Sequence, residues 1–342
     1  MAAKQYDVVG IGVAAVDDLF YIERYPELNV KVPATGTERH GGGPACTAMA
    51  AVGTLGGKAA YVARFGTNDL AAFMECALAQ RGVETCVVRE PQGGPYHSFI
   101  VVDASGNRNV FYDASLYRTV EGEHVPIALV QKAAMVLIDH VADPALLSAA
   151  EVVRKLGIPI LGDIEGCTEA ARQLAAKTDY LIVPEEFAAW ASGACAPSVA
   201  CSLLARTTRR ATVVTSGTQG CYYCTETDPE VKHIPAFAVD SHDTNGCGDT
   251  FHGAFALATA RGFATAEALT FASAAAALKA FAGGGKRRGW SALPTARETL
   301  DFLRARLTDA VGSKALRNKV VAKTAALTEE VEAAKSPEPV SR

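Results

Sequence analysis

Short apolar runs alternate with helical patterns along most of the chain, and this alternation limits the fold more than any other feature. Runs typical of buried β-strands lie at residues 8–12, 59–63, 135–138, 158–161, 180–183 and 212–215. Helical patterns lie between most of them, at residues 70–80, 144–156 and 168–176. Because parallel strands need a crossover connection, usually a helix, the alternation predicts an α/β fold in three layers, a mostly parallel central sheet with helices on both faces.

One region departs from this alternation. Residues 97–103 and 109–113 alternate apolar and polar side chains around Ala104-Ser-Gly-Asn107, which predicts a β-hairpin. Together with residues 31–39, the hairpin is expected to form a small sheet apart from the main one. A β lid that excludes water from an active site is one use for such a sheet, and an ordinary surface hairpin is the other.

The chain is predicted to form one main domain over residues 1–310, with lid segments near residues 13–40 and 95–115. Residues 311–342 are rich in Ala, Lys and Glu and contain two prolines near the end, which is typical of a solvated helical or disordered tail. The formal net charge of -4 gives no reason to expect nucleic acid or an acidic membrane as partner. No apolar stretch suggests a signal peptide or a membrane span, and nine scattered cysteines favour reduced thiols, so a cytoplasmic protein is expected.

The segment Asp243-Thr-Asn-Gly-Cys-Gly-Asp249-Thr-Phe-His-Gly-Ala254 carries the clearest chemical signal. Gly246 and Gly248 flank Cys247 where a helical pattern begins. Unpaired backbone N–H groups at a helix N-terminus bind anions, and glycines allow the anion to come close. Asp249 falls in the first turn beside that anion, where a carboxylate is suited to act as the general base for an attacking hydroxyl. The alternative interpretation is an Asp that only caps the helix.

This segment resembles the C-terminal signature D-T-x-G-x-G-D, followed by F-x-G-A, of the ribokinase (PfkB) family of carbohydrate kinases. The matching residues are Asp243, Thr244, Gly246, Gly248, Asp249, Phe251, Gly253 and Ala254. The resemblance extends over most of the chain and implies a ribokinase-like fold that uses ATP and Mg²⁺ to phosphorylate a small sugar. It also implies that Asp249 is the catalytic base and that the amides of Gly246, Cys247 and Gly248 hold the transferred phosphoryl group.

A sugar site near the N-terminus is implied by the same resemblance. Asp17 falls where family members place a sugar-binding Asp. An Asp suits this role because a carboxylate can accept hydrogen bonds from two sugar hydroxyls at once. Asp18 is the alternative if the register shifts by one. The other residues implied around the sugar are Gly42, Gly43, Thr47, Lys31 and Arg108. Thr47 and Ala15 depart from the family, which often has Asn at these positions.

The nucleotide and metal sites are also implied by resemblance. Val214-Thr215-Ser-Gly217-Thr-Gln-Gly220 is similar to the family segment V-T-x-G-x-x-G, and the residues implied at the nucleotide are Thr215, Gly217, Gly220, Thr244, Ser273 and Gly284. The family motif N-x-x-E, which organises Mg²⁺, is replaced by Pro184-Glu185-Glu186, so either Glu185 or Glu186 is the metal candidate. Asp163 and Glu165 are further candidates. The resemblance also implies a monovalent cation such as K⁺ near Asp243, and a homodimer paired through the lid.

The resulting interpretation is an ATP-dependent kinase that acts on a hydroxyl of a small sugar, with a ketose such as fructose, or a substituted fructose, favoured. Lys31, Arg39 and Arg108 lie near the predicted lid, where a cation can bind an anionic sugar substituent, and the motifs are similar to the family branch that contains sulfofructose kinase. Two alternatives stay open: a catalytically silent kinase-fold protein that binds a sugar or a partner, and a nucleoside kinase of the same family.

Three other patterns in the sequence bear on function. Gly10-Ile-Gly12-Val-Ala-Ala15 fits a dinucleotide fingerprint, but residues 16–25 alternate where that fingerprint requires a helix. Cys221-Tyr-Tyr-Cys224 has CxxC spacing in a strand-like run, so its two thiols are predicted to point to opposite faces. His252 is interpreted as an ordinary residue on a helix face, with contact to nucleotide or to Asp249 as the alternative.

Overall fold

Thirteen strands lie within the part of the chain that the computed structural model describes, residues 4–140, 143–205, 210–306 and 313–335. In chain order they are β1 (Tyr6–Ile11), β2 (Ala15–Tyr21), β3 (Gly36–Gly42), β4 (Ala59–Phe65), β5 (Val83–Arg89), β6 (Tyr96–Val102), β7 (Arg108–Asp113), β8 (Ala133–His140), β9 (Ile160–Ile164), β10 (Tyr180–Pro184), β11 (Ala211–Thr215), β12 (Cys221–Thr225) and β13 (Lys232–Ile234). Each predicted apolar run overlaps one of the strands β1, β4 and β8 to β11, although the run 158–161 begins two residues before β9 and the run 8–12 extends one residue past β1.

The α-helices follow the predicted crossovers. They are α1 (Pro44–Thr54), α2 (Asp69–Ala79), α3 (Ile127–Val130), α4 (Leu146–Lys155), α5 (Glu169–Ala175), α6 (Glu185–Ser192), α7 (Pro197–Leu204), α8 (Cys247–Ala260), α9 (Thr265–Gly285), α10 (Ala296–Ala305) and α11 (Lys314–Lys335). Local chemistry sets several of the starts. Pro44 opens α1, the side chain of Asn68 accepts the N–H of Ala71 to cap α2, and Thr295 caps α10.

The main sheet has the strand order β13-β12-β11-β10-β9-β8-β1-β4-β5. The seven strands from β11 to β5 in this order, namely β11, β10, β9, β8, β1, β4 and β5, pair in parallel. The two edge strands pair antiparallel, β12 with β11 and β13 with β12. The mostly parallel sheet predicted from the alternation is therefore confirmed. Parallel strands place all their carboxyl ends at one edge, which is the edge where ligands bind in such folds.

Two hydrophobic cores cover the two faces of this sheet, which gives the three predicted layers. Adjacent residues of β1 show the alternation, because Val8 lies in the core beneath α1, α8 and α9, whereas Val9 lies in the core beneath α4 to α7. Cys221 and Cys224 of β12 divide between the same two cores, so the prediction that their thiols point to opposite faces is confirmed.

A separate four-stranded sheet has the order β3-β2-β6-β7, and we refer to it as the lid sheet. The predicted hairpin is confirmed as the antiparallel pair β6 and β7. The predicted segment 31–39 is shifted, because the strand β3 begins at Gly36 and continues to Gly42. The alternating residues after β1 form β2, the strand that pairs with both β3 and β6.

The two N-terminal glycines of the dinucleotide-like pattern serve packing. A Cβ at Gly10 would overlap the Met49 side chain of α1, and a Cβ at Gly12 would overlap the carboxyl group of Asp139. The strand β2 follows where a dinucleotide-binding motif needs a helix, as the sequence indicated.

The C-terminal helix α11 is not fully solvated, which corrects the expectation for this segment. Val320 and Leu327 are buried, and Val331 is the side chain that a Cβ at Gly56 would overlap. These residues recur at spacings of seven and four, so they form one face of the helix. The expected domain boundary at residues 310–311 and the final residues 336–342 lie outside the described residues.

No single helix within the described ranges has both the length and the apolar content to cross a membrane. The bent pair α6 and α7 meets these two criteria only when taken together.

Candidate active site

The N-terminus of α8 holds the glycine-rich loop at the carboxyl edge of the main sheet. Gly246 caps the helix in the left-handed region, with φ of 75°, where glycine is the residue with least strain. The N–H of Cys247 donates to the carbonyl of Thr244 at 3.3 Å. The next two N–H groups, of Gly248 and Asp249, have no intrahelical acceptor by the geometry of a helix start. The loop thus has the donors that an anion site requires.

Asp249 lies in the first turn of α8 and is partly exposed. Burial raises the pKa of its carboxyl group well above the usual value, and the charges of Asp163, Glu165 and Asp139 raise it further. The charge of Lys279 acts in the opposite direction. A raised pKa makes Asp249 a stronger base toward a hydroxyl than an ordinary carboxylate is.

Asp163, at the end of β9, is buried. Within the described residues, neither of its carboxyl oxygens has a hydrogen-bond partner. Nε2 of His252 lies 3.3 Å from Oδ1 of Asp163, without the geometry of a hydrogen bond, and Nδ1 of His252 donates to the carbonyl of Gly248 at 2.7 Å. His252 therefore contacts Asp163 and the α8 backbone. Burial lowers its pKa and favours the neutral ring.

Asp139, at the end of β8, is a site residue that the sequence reasoning missed. Its Oδ2 accepts the N–H of Val13 at 2.7 Å and the N–H of Ala45 at 2.9 Å. It therefore joins the approach to the lid sheet to the start of α1. The available signal was its position directly after the apolar run 135–138, which is the same signal that identified Asp163.

Asp17 and Asp18 lie on opposite faces of β2. Asp18 forms an ion pair with Arg39 at 2.6 Å, and Nε2 of His97 lies 2.7 Å from it. Asp17 is buried, and a Cβ at Gly42 would overlap its carboxyl group. Burial raises the pKa of Asp17, whereas a hydrogen bond with Ser98 acts to lower it.

The remaining residues predicted at the sugar divide into two groups. Thr47 is buried and accepts the indole N–H of Trp290 at 3.0 Å, while its methyl group lies 3.3 Å from the Cβ position of Gly246. Arg108 is exposed on β7, yet its charge acts to lower the pKa of the Cys247 thiol, which burial raises to about 11. Lys31 is exposed in the connection between β2 and β3.

The residues predicted at the nucleotide lie on three segments that follow or flank the sheet. Thr215 ends β11, and the next turn has Gly217 and Gly220 at φ of 50° and 97°. Ser273 is buried within α9, which leaves helical geometry at Ala282 and stays left-handed through Gly284, with φ of 69°. The left-handed backbone at these glycines fits the predicted turns. Thr244 is exposed just before α8.

The predicted metal residues Glu185 and Glu186 lie exposed in the first turn of α6. Glu165 is the glutamate whose charge raises the pKa of Asp139, Asp163 and Asp249 together. Among the described residues, no three His, Cys, Asp or Glu side chains already form a group that could hold a metal ion. The unpartnered oxygens of Asp163 are nevertheless suited to a hydrated divalent cation, which prefers carboxylate oxygen.

The start of α8 offers free N–H groups to an anion, next to a carboxyl group with a raised pKa, at the edge of a parallel sheet where ligands bind. This arrangement is typical of a phosphoryl-transferring enzyme. The model of the pfkB family carbohydrate kinases matches residues 7–288. The chain therefore belongs to the pfkB family, and it is a carbohydrate kinase.

Individual proteins are similar to this chain in sequence, in fold or in both. Fructokinase-1 of Zea mays is 28% identical over 276 residues, which cover 74% of this chain and 83% of that protein. The crystal structure of an assigned ribokinase from Agrobacterium tumefaciens has a TM-score of 0.76 and 30% identity, and covers 90% of this chain and 99% of its own. An assigned Ribokinase II from E. coli, solved with ATP and Mg²⁺, has a TM-score of 0.74 and 18% identity over 89% of this chain and 99% of its own. The predicted ribokinase-like fold is confirmed.

The pKa of Asp139 gives a prediction for stability. Burial raises it from 3.8 to about 7, although the N–H groups of Val13 and Ala45 lower it. The folded protein thus binds this proton more tightly than the unfolded chain does, so the free energy of unfolding falls as the pH rises from about 4 to about 7. Relative to Asp139→Asn, wild type should lose up to about 1.4 kcal/mol per pH unit in this range.

Urea unfolding of wild type and Asp139→Asn between pH 4 and 8 measures this difference. Asp103→Asn is the matched control, because Asp103 is exposed and a hydrogen bond from Asn107 lowers its pKa below this range. A difference between wild type and Asp139→Asn that does not change with pH would contradict the role given to Asp139.

Proposed function

We propose that this carbohydrate kinase transfers the γ-phosphoryl group of ATP to a hydroxyl of a small sugar, with Asp249 as the general base. The proposal rests on the position of Asp249. It lies in the first turn of α8, where free N–H groups are suited to an anion, and this end of the helix contacts residues proposed to bind the sugar. Thr47, in the first turn of α1, lies against Gly246 of that loop. Gly42, which packs on Asp17, ends the strand just before α1. These contacts support a sugar site next to the proposed anion hole.

Each residue has a defined task in the transfer. Asp17 accepts hydrogen bonds from sugar hydroxyls, alongside Gly42, Gly43 and Thr47. Asp249 takes the proton of the reacting hydroxyl, whose oxygen forms the new bond to the γ-phosphorus while the bond to the leaving ADP oxygen breaks. The N–H groups of Gly248 and Asp249, which have no intrahelical acceptor, stabilise the charge on the transferred group beside Gly246. The amide of Cys247, predicted to act with them, already donates to the carbonyl of Thr244.

ATP is proposed to lie along the carboxyl edge of the sheet. The residues proposed to border it are Thr215, Gly217, Gly220, Thr244, Ser273 and Gly284. Support comes from the left-handed turns at the glycines and from the E. coli relative solved with ATP and Mg²⁺.

Asp163 and Glu165 are proposed as the residues that hold Mg²⁺, because the oxygens of Asp163 are buried without partners and the charge of Glu165 acts on the same cluster. Glu185 and Glu186 are the alternatives, at the first turn of α6. When bound, the ion supplies positive charge that offsets the charge of the ATP phosphates. The sign and position of the acidic cluster fit such a cation.

A ketose such as fructose, or a substituted fructose, is the proposed sugar. The fructokinase relative supports fructose, and the ribokinase relative makes ribose the comparison substrate. The charge of Arg108 acts on Cys247 in the anion hole, so this arginine is the lid cation suited to an anionic substituent, as in the sulfofructose hypothesis. Arg39 is already paired with Asp18. A nucleoside is the alternative acceptor, and a silent sugar binder is the alternative without catalysis.

Replacing Asp249 by Asn should lower kcat by roughly 10² to 10⁴, because the general base is lost, while KM for sugar and ATP changes little. ADP release measures this with fructose, ribose, other ketoses, nucleosides, phosphosugars and a sulfonated ketose. Asp240→Asn, an exposed carboxylate outside the site, is the control. A fully active Asp249→Asn enzyme would exclude Asp249 as the base, and binding without turnover on every sugar would favour the silent binder.

The two neighbouring aspartates of β2 test the sugar site. Asp17→Asn should raise KM for the sugar roughly tenfold or more, because a hydrogen bond to a charged group is lost. Asp18→Asn should change KM by less than about fivefold, since a partly exposed ion pair contributes little. Steady-state kinetics on the best sugar of the panel compares them. If Asp18→Asn has the larger effect, the proposed register of the sugar site is wrong.

A homodimer through the lid sheet is proposed from its exposed apolar surface. Phe111 of β7 is 60% exposed and pairs with Phe99, which in turn pairs with Asp18, so Phe111, Phe99 and Phe20 lie on one face of the lid sheet. Phe99 and Phe20 are 40% and 38% exposed. Val110 and Tyr112, which are 50% and 67% exposed, lie on the opposite face, the face of Asp17. Such a patch on an isolated sheet is typical of an interaction site, and a second copy with the same patch is a suitable partner.

Sedimentation velocity tests the dimer. Wild type should sediment as a dimer, and Phe111→Glu should shift it to a monomer because a charge is buried in the apolar interface. Val199→Glu, at an exposed apolar residue of α7 away from the lid sheet, should remain a dimer. A monomeric wild type at micromolar concentration would rule out this interface.

A further inference from the structure

A buried lysine lies beside the anion hole. Lys279, on α9, is 1% exposed, and its Nζ donates to Oδ2 of Asp243 at 2.8 Å and to the carbonyl of Asp243 at 3.3 Å. A buried ammonium group is costly unless it is paired. Its position is therefore determined by Asp243, the first residue of the glycine-rich segment.

The same aspartate holds the backbone around it. Its Oδ2 also accepts the N–H of Gly289 at 2.9 Å, and its Oδ1 accepts the N–H of Asn245 at 3.0 Å. The N–H of Asp243 donates to the carbonyl of Ala280 at 3.1 Å. The ammonium group of Lys279 thus neutralises the carboxylate that connects the loop before α8 to α9 and to the turn that follows it.

The charge of Lys279 reaches the reacting groups. Its Cε lies 3.9 Å from the Cβ position of Gly246, the helix cap of the anion hole. The charge also acts to lower the pKa of Asp249 and of Cys247. Lys279 is therefore a positioning residue for the loop, and its positive charge lies close to the place where the phosphoryl group is proposed to bind.

The surroundings of Asp243 do not fit a bound K⁺. Such an ion needs several free oxygen ligands, whereas Oδ2 and the carbonyl of Asp243 both accept the Lys279 ammonium. A second cation at the same oxygens would be repelled by a charge only a few Å away. The K⁺ expected here from the family resemblance is thus in conflict with this side chain.

We propose that the ammonium group of Lys279 takes the place of a bound monovalent cation, so that phosphoryl transfer does not depend on K⁺. The ammonium is attached to the chain, so it neutralises Asp243 and holds residues 243–246 in place without the entropic cost of capturing a free ion. This proposal rests on the proposed function for its kinetic part, but its binding and stability part can be measured without turnover.

The first experiment needs no substitution. Turnover of wild type on its best sugar is measured with Mg²⁺-ATP in K⁺ and in tetramethylammonium, a cation too large for the site, at constant ionic strength. The expected change is less than about twofold. A loss of about tenfold or more without K⁺ would overturn the proposal.

The second experiment removes the ammonium group. Lys279→Met should lower kcat by about 10² or more, because Asp243 is left unpaired beside the anion hole, and K⁺ should restore part of the rate whereas Li⁺ and tetramethylammonium should not. Lys323→Met is the matched control, since Lys323 forms a 2.7 Å ion pair with Glu267 on the outer helices. Its turnover should be the same in every cation. If Lys279 served only to pair with Asp243, the turnover of Lys279→Met would show no recovery that depends on the size of the added cation.

Thermal unfolding in the same salts supplies a reading that does not require activity. K⁺ should raise the Tm of Lys279→Met, which has gained an ion site, and should not raise the Tm of wild type or Lys323→Met beyond the tetramethylammonium value. If no sugar is phosphorylated, the proposed function fails while this comparison still tests Lys279. If Lys279→Met does not fold, the cation exchange on wild type decides. A Lys279→Met protein with normal turnover and no response to K⁺ would overturn the proposal.

Discussion

One carboxylate oxygen holds together the parts of the protein that must meet at the active site. Oδ2 of Asp139 accepts the N–H of Val13, just before the lid sheet, and the N–H of Ala45, in the first turn of α1. The carboxyl group also needs the space that Gly12 leaves. Because it stands at the end of a central strand of the main sheet, these two bonds fix the lid sheet and α1 relative to that sheet. The distance between the lid sheet and the start of α8 depends on this connection.

The second constraint is the negative charge gathered at the same edge. Burial and the charge of Glu165 raise the pKa values of Asp139, Asp163 and Asp249, and the charge of Asp139 also raises those of Asp163 and Asp249. Lys279 and the free N–H groups at the start of α8 are the opposing positive elements. A site with this balance is suited to phosphates that arrive with a cation, and the raised pKa of Asp249 favours proton uptake by its carboxyl group.

Much of the fold followed from local patterns. The apolar runs predicted the central strands because burial on both faces requires apolar side chains over four or five successive residues. The twelve-residue segment from Asp243 to Ala254 predicted a helix start with a base in its first turn, and α8 begins there. The lid sheet was less accurate: β3 starts at Gly36 rather than residue 31. β3 is mostly polar and exposed, so its sequence shows little alternation of apolar and polar residues. Its ends therefore depend on pairing with β2.

By itself, the sequence determined the alternation of strands and helices, the glycine-rich start of α8 and the place of Asp249 in its first turn, because each depends on neighbours in the chain. Only the tertiary structure decided which aspartate of β2 faces inward, that Asp139 joins the lid approach to α1, and that Lys279 pairs with Asp243 from thirty-six positions away. These contacts join segments distant in the chain. Their partners are set by how helices and strands pack, and no local periodicity contains that information.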